Sequence, residues 1–330
     1  MYEAIFLAEH TIYLEMYIFS DDMKDFDFLK LLKEKAKNGV RICLILDSYG
    51  SADLSKKAIL DLRTSGVELF FISHFFHHTH RKILIVDEKI AFVGGVNFHQ
   101  SASEWNDLVV QVRGRIIKII LKSFAKVYER CGGRDFFILR YKKNDKIISK
   151  KIHFWLIEHF PMWQKYNLRN FYEKNINGSE KSIFLVTPYF MPKRWFIAAI
   201  HQAILRGVRV EVLVPKATDY FLIDKVNYFF MHKLSKLGVN IFLEDDMNHA
   251  KLVIIDLKKG TVGSHNLDIL SFDFNSEAGI FFDDQRAVKK LITIYEDWRD
   301  GATAFDFKGY SPSLLDYILS PIIGLFSKIL

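Results

Sequence analysis

Two stretches of this chain read alike: HRKILIVDEKIAFVGGVN, His80 to Asn97, and HAKLVIIDLKKGTVGSHN, His249 to Asn266. Counted from each His, a Lys stands at +2, an Asp at +7, a Gly at +14 and an Asn at +17. These are His80, Lys82, Asp87, Gly94 and Asn97 in the first copy, and His249, Lys251, Asp256, Gly263 and Asn266 in the second. With each residue type at roughly one in twenty, four fixed positions coincide by chance at about one start in 10⁵. A duplicated architecture is the first expectation, and it can be tested on the surrounding sequence.

Upstream of the first stretch run TIYLEMYIF (Thr11 to Phe19), a helical stretch ending near Asn38, GVRICLILD (Gly39 to Asp47), a second helix, and GVELFFI (Gly66 to Ile72). From Ser182 the order returns: SIFLVTPYF, a helix to Arg206, GVRVEVLVP (Gly207 to Pro215), another helix, and GVNIFLE (Gly238 to Glu244). Each helix ends at a Gly, suited to a left-handed C-cap, and each next segment is a short apolar run rich in Val and Ile. Strands alternating with helices predict an α/β fold with right-handed crossovers and a largely parallel sheet in each half. Between Gly132 and Glu180 the rhythm lapses. This part reads as a linker with the lysine-rich YKKNDKIISKK, the polar NINGSEK and a helix of its own, HFWLIEHF. The boundary is placed near residue 150, giving a first repeat over 1–150 and, over 151–330, the linker helix, the second repeat and an apolar tail.

Composition narrows the classes. Half of the 330 residues are apolar and 26% are charged, which excludes disordered and collagenous chains. The 46 Lys and Arg against 39 Asp and Glu leave +7, which suits an anionic partner, nucleic acid or membrane. Cys43 and Cys131 are too few for a disulfide framework and lack zinc-site spacing. No apolar run reaches the roughly 18 residues of a spanning helix. Glu3 and Glu9 stand where a signal peptide carries cationic residues, so a spanning or secreted chain is not expected. The tail from Ser313 to Leu330, broken by Asp316, Pro321 and Lys328, suits interfacial binding rather than spanning.

The motif spacing points to phosphoryl chemistry. His and Lys two apart on a strand share a face, so an imidazole and an ammonium emerge side by side. A neutral imidazole can attack phosphorus, and a protonated one can donate to a leaving alcohol. Lys and Asn offer donors to phosphate oxygens, and the glycines permit close backbone approach. Two such strands brought together supply what a two-step transfer through a phosphohistidine needs, with no cofactor or metal. Asp87 and Asp256 fall at an odd offset from the His–Lys pair and should point away from it, bonding nearby backbone in a structural role.

The pattern His-x-Lys, four residues, Asp, six residues, Gly-Gly or Gly-Ser resembles the phospholipase D superfamily over nearly the whole chain. The wording is most similar to bacterial cardiolipin synthases: HRKILIVD with GGVN, the opening AEHTIYLEMYIFSDD, LDSYGS, EWND and TPYFMP. The resemblance implies two α-β-α sandwich repeats in a pseudo-twofold arrangement around one shared active site. It also implies that His80 is the nucleophile and His249 the general acid and later base. Lys82, Lys251, Asn97, Asn266, Gly94, Gly95, Gly263 and Ser264 would surround the phosphate. A carboxylate beyond each motif would orient a catalytic His, and Asp107 and Glu277 stand 27 and 28 residues after His80 and His249. The implied activity is transfer of a phosphatidyl group between two phosphatidylglycerol molecules, giving cardiolipin and glycerol. The implied setting is peripheral attachment to a membrane surface, the cytoplasmic membrane of a bacterium, with no obligate nucleic acid and no protein partner inferable.

The rivals are a phospholipid hydrolase, a metal-independent nuclease built on the same machinery, and a catalytically dead lipid-binding scaffold. Several features have plain readings as well. HFFHHTH, with His74, His77, His78 and His80, is expected as a polar wall at the site mouth or a solvated loop rather than a metal cluster. RIIKIILKSFAKVYER (Arg115 to Arg130) is expected as an ordinary domain helix. Lys142, Lys143, Lys146, Lys150 and Lys151 divide evenly between a headgroup patch and a solvated linker. Tyr189 and Phe190 either line the site or belong to the core.

Overall fold

The computed structural model describes residues 1–73, 77–143 and 153–313. The first half runs α1 (Tyr2–Phe6), β1 (Thr11–Met16), α2 (Phe28–Lys37), β2 (Arg41–Asp47), α3 (Lys56–Thr64) and β3 (Glu68–Ile72). It continues through β4 (Ile83–Val86), β5 (Ile90–Gly94), β6 (Val109–Arg113), α4 (Ile116–Arg130) and α5 (Phe136–Leu139). The second runs β7 (Phe154–His159), α6 (Asn167–Asn177), β8 (Ser182–Val186), α7 (Arg194–Leu205), β9 (Arg209–Pro215), α8 (Phe221–Ser235) and β10 (Asn240–Glu244). It closes with β11 (Leu252–Ile255), β12 (Lys259–Gly263), α9 (Ile269–Asp273), β13 (Glu277–Phe282), α10 (Gln285–Asp300) and β14 (Thr303–Ala304).

The two sheets repeat one topology. The first has the order β3-β2-β1-β4-β5-β6, and the second contains β10-β9-β8-β11-β12-β13 with β14 and β7 added at its edges. The glycines Gly39, Gly66, Gly207 and Gly238, at the ends of α2, α3, α7 and α8, all have positive φ, as their capping role predicts.

Parallel pairing holds only for the helix-connected strands, β1 to β3 and β8 to β10. The motif strands pair antiparallel throughout, so each sheet is mixed rather than largely parallel. The reason lies in the turns. Lys89 N–H bonds Val86 carbonyl across Asp87 and Glu88, both with positive φ, and Lys258 N–H bonds Ile255 carbonyl across Asp256 and Leu257 likewise. A two-residue turn with both φ positive reverses the chain as a hairpin, leaving no room for a crossover helix.

HFWLIEHF is not a helix. It forms the edge strand β7, antiparallel to β13, with Phe154 and Trp155 meeting Phe282 and Phe281. Aromatic and β-branched residues beside an open sheet edge favour cross-strand pairing over a local helix. The helix of this region is α6, and residue 150 lies outside the described residues.

Besides a small cluster that gathers Met191, Ile223 and Val226, three large cores hold the layers together among the described residues. One lies between the first sheet and α1 to α3, and another between the second sheet and α6 to α8. The third joins the facing sides of both sheets with α4 and α10. Inside it Tyr13 stacks on Phe124 and, at the matching place in the second half, Phe184 stacks on Tyr295. α4 buries Ile117, Ile120, Phe124 and Tyr128, which makes RIIKIILKSFAKVYER a domain helix. Among the described residues no helix is long and apolar enough to cross a membrane.

Candidate active site

The site forms where the strands carrying the motifs of the two halves meet. Thr79 pairs with Ser276 and Asn106 with Asn248 as single parallel bridges between the halves. The His80 amide donates to Ser276 carbonyl at 2.9 Å, and the His249 amide donates to Asn106 carbonyl at 2.6 Å. Each His is thereby aligned with the residue that follows the bridge partner, which is Glu277 or Asp107. His80 Nδ1 lies 3.1 Å from both oxygens of Glu277, and His249 Nδ1 lies 2.7 Å from Asp107 Oδ2. The orienting carboxylates are exchanged between halves.

The two dyads are built differently. Glu277 also accepts from Ser271 Oγ at 2.8 Å and from Ser264 Oγ. Among the described residues no serine bonds Asp107, which accepts from its neighbour Leu108 N–H at 2.6 Å. A Cβ added to Gly95 would lie 2.3 Å from Asp107 Oδ1, and one on Gly94 would lie 2.2 Å from Leu108 carbonyl. The close approach these glycines permit is thus to the neighbouring strand and its carboxylate. Ser264, fully buried, is engaged with Glu277 rather than open to a ligand.

Lys82 and Lys251 are buried beside the imidazoles, each donating to the carbonyl of its own motif His. Asn97 Oδ1 accepts from Ile18 N–H at 3.3 Å, so its NH₂ remains the group that can donate. Asn266 Oδ1 is buried without a hydrogen-bond partner among the described residues. Aromatic rings complete the walls. Tyr17 meets His80 edge-on at 4.8 Å and carries Lys82 Nζ 5.0 Å from its centroid, and Trp105 packs 5.3 Å from His249. Tyr189 stands 6.4 Å from His249 and donates to Asp219, whereas Phe190 is core. Sequence reasoning passed over Tyr17, Trp105 and Ser271. Tyr17 and Trp105 do lie in the quoted wording, in EMYIF and EWND.

Burial lowers the pKa of His80 despite the nearby Glu277, and burial with the Lys251 charge lowers that of His249 to about 3. Burial alone would raise Glu277, but His80, Lys82 and Ser264 outweigh it and hold the carboxyl at about 2. The state that follows is an ionised Glu277 accepting Nδ1–H from a neutral His80, whose lone pair is on Nε2. Burial brings Lys251 down to about 8 and Lys82 well below its ordinary value. Burial, rather than a lack of carboxylates, is what disfavours the charged imidazoles and ammonium groups here, since Glu277 and Asp107 both face them. An anion added to the cluster would favour protonating His249 and both lysines.

Asp87 turns away from this cluster. It accepts from the amides of Glu9, His10 and Thr11, while Asp256 accepts from those of Glu180, Lys181 and Ser182. The backbone they bind is spatially near but more than 70 residues away, at the start of the central strand. In the His-rich stretch His77 Nδ1 bonds Phe274 carbonyl and His78 Nδ1 lies 3.2 Å from the Asp47 carboxylate; His74 falls outside the described residues. Lys142 pairs with Glu129. Lys146, Lys150, Lys151 and the tail from residue 314 lie outside the described residues.

The fold is shared with a solved structure. Phosphatidylserine synthase from Haemophilus influenzae Rd KW20 superposes with a TM-score of 0.75 over 99% of this chain and 90% of that one, at 13% identity. The family described as "Cardiolipin synthase, PLD-like domain" matches residues 1–130 and 172–298, and the chain belongs to that family. It is 27% identical, over its whole length and 69% of the relative, to the probable cardiolipin synthase YwiE of Bacillus subtilis (strain 168). It is 30% identical to the cardiolipin synthase of Clostridium perfringens (strain SM101 / Type A), across 86% of this chain and 64% of that protein. The chain spans about two thirds of the length of these relatives.

Proposed function

We propose that this protein is a phosphatidyltransferase that joins two phosphatidylglycerol molecules into cardiolipin with release of glycerol. The observation that carries the reading is the pair of exchanged dyads, two imidazoles each aligned by a carboxylate within one lysine-flanked cluster.

In the first step His80 Nε2 attacks phosphorus. The bond to the terminal glycerol breaks, and protonated His249 supplies that alkoxide with its proton. Lys82, Lys251 and the Asn97 NH₂ hold the non-bridging oxygens as charge shifts onto them. In the second step His249, now neutral, takes the proton of a hydroxyl on a second phosphatidylglycerol. That oxygen attacks phosphorus, and the phosphorus–His80 bond breaks. Water in place of the second lipid gives phosphatidate. The reading also assigns the repeats to residues 1–150 and 151–330, makes both necessary for activity, and sets the enzyme on the cytoplasmic membrane surface of a bacterium. The +7 charge fits that setting.

The test is incubation with phosphatidylglycerol vesicles, without added metal, followed by lipid chromatography. Cardiolipin and glycerol are the expected products. Neither cardiolipin nor phosphatidate, together with cutting of plasmid DNA, would overturn the lipid reading in favour of a nuclease.

A further inference from the structure

The second half carries a groove that the reaction scheme leaves unused. It has a volume of about 1040 Å³ and lies between the start of α6, the residues leading into α7, and the end of α8. Trp195, Ile197, Phe230, Leu237 and Ile269 give it an apolar wall, and none of its lining residues is acidic. Its cations fall into two sets. Arg169 is paired with Glu173 at 2.9 Å and Lys193 with Asp273 at 2.7 Å. Arg194, Lys233 and Lys236 line the groove, are exposed, and have no ion-pair partner among the described residues.

An apolar slot edged by three uncompensated cations matches the polarity of an anionic amphiphile. A soluble phosphate would leave the apolar wall wet, and a zwitterionic lipid would leave net positive charge unmatched. The groove also abuts the second motif, because its lining residue Met191 donates its N–H to Leu267 carbonyl at 2.9 Å, next to Asn266.

We propose that this groove holds an anionic phospholipid, with one acyl chain along Trp195 and Phe230 and the phosphate against Arg194, Lys233 and Lys236. This lipid is separate from the one whose phosphate meets the two imidazoles. The proposal rests on the reading that lipid is what the protein meets, and adds where a second molecule sits.

The test uses the full chain with His80→Ala, so that no turnover intervenes, and vesicles of equal parts phosphatidylcholine and phosphatidylglycerol whose phosphatidylglycerol chains are brominated. Bromine quenches tryptophan on contact. The expected result is quenching that drops when Trp195→Phe is added. Binding should fall tenfold or more in Arg194→Gln/Lys233→Gln/Lys236→Gln, and brominated phosphatidylcholine alone should not quench Trp195. Quenching unchanged by Trp195→Phe, binding unchanged in the triple variant, or full competition by inorganic phosphate would each overturn the proposal. Trp195 quenching seen only after removal of residues 314–330 would assign the groove to the chain's own end and overturn it too. Cardiolipin formation by the unmodified chain without Trp195 quenching would defeat the groove alone. Trp195 quenching without any lipid product from the unmodified chain would defeat the transferase reading alone.

Discussion

His80 and Glu277, 197 residues apart in the chain and in different halves of the fold, meet with His80 Nδ1 3.1 Å from each carboxylate oxygen. The reciprocal pair, His249 and Asp107, closes at 2.7 Å across the same boundary. A half taken alone would keep an imidazole and a lysine but lose the carboxylate that fixes the imidazole's tautomer. The dependence of each motif on the opposite half turns duplication into a single site.

The pH dependence of the reaction should report Lys251, which burial brings to about 8. Below that pH the ammonium is charged and, in the proposed scheme, available to hold phosphate oxygens; as pH rises through it the charge is lost. The kcat/KM for phosphatidylglycerol should therefore fall on the alkaline side near pH 8. Lys251→Arg, whose guanidinium stays charged, should move that limb upward while lowering the maximum rate. A limb that stays in place in the variant would assign it to another group.

Gly95→Ala should impair the His249 dyad without unfolding the protein. Its new Cβ would lie 2.3 Å from Asp107 Oδ1, so the carboxylate must shift. Misplacement on the scale of an ångström costs about 10²-fold in rate. Turnover should fall by about that factor, with thermal stability within a few degrees of the parent. Unchanged turnover would show that Asp107 tolerates displacement.

The buried pair Glu15 and Arg81, 3.4 Å apart, occupies the place that Val186 and Ala250 take in the second half. Removing one partner of a buried pair leaves an uncompensated charge and costs about 3–5 kcal/mol. Arg81→Ala should lose stability on that order in urea unfolding. Adding Glu15→Val, which copies the second half, should recover most of it. A double variant no more stable than Arg81→Ala would contradict this.

Much of this was readable from spacing. The strand and helix order, the capping glycines and the two motifs follow from apolar periodicity and repeated offsets, which are local signals. Strand alternation predicts the outward direction of Asp87 and Asp256; both do turn away, but from the two-residue turns beyond β4 and β11 rather than from a strand. What could not be read depends on pairing between distant segments. HFWLIEHF was misassigned because only the open edge of β13 decides that it is a strand. The antiparallel motif strands depend on positive φ at Asp87 and Asp256, non-glycine positions that do not announce it. The exchange of Asp107 and Glu277 rests on one-residue bridges between halves, for which no local pattern exists. The engagement of Ser264 with Glu277 is hidden for the same reason.

The central claim is that the dyads are exchanged and that His80 is the nucleophile. The most direct measurement is the rate at which a phosphatidyl group appears on His80, mapped by mass spectrometry after alkaline quenching, with a substrate bearing an activated leaving group. Glu277→Gln should slow this adduct by roughly 10⁴-fold, as loss of an orienting carboxylate does elsewhere. Asp107→Asn should form it at close to the parent rate and fail to pass it to an alcohol. Loss of the His80 adduct in Asp107→Asn with its retention in Glu277→Gln, or an adduct on His249 instead, would contradict the account.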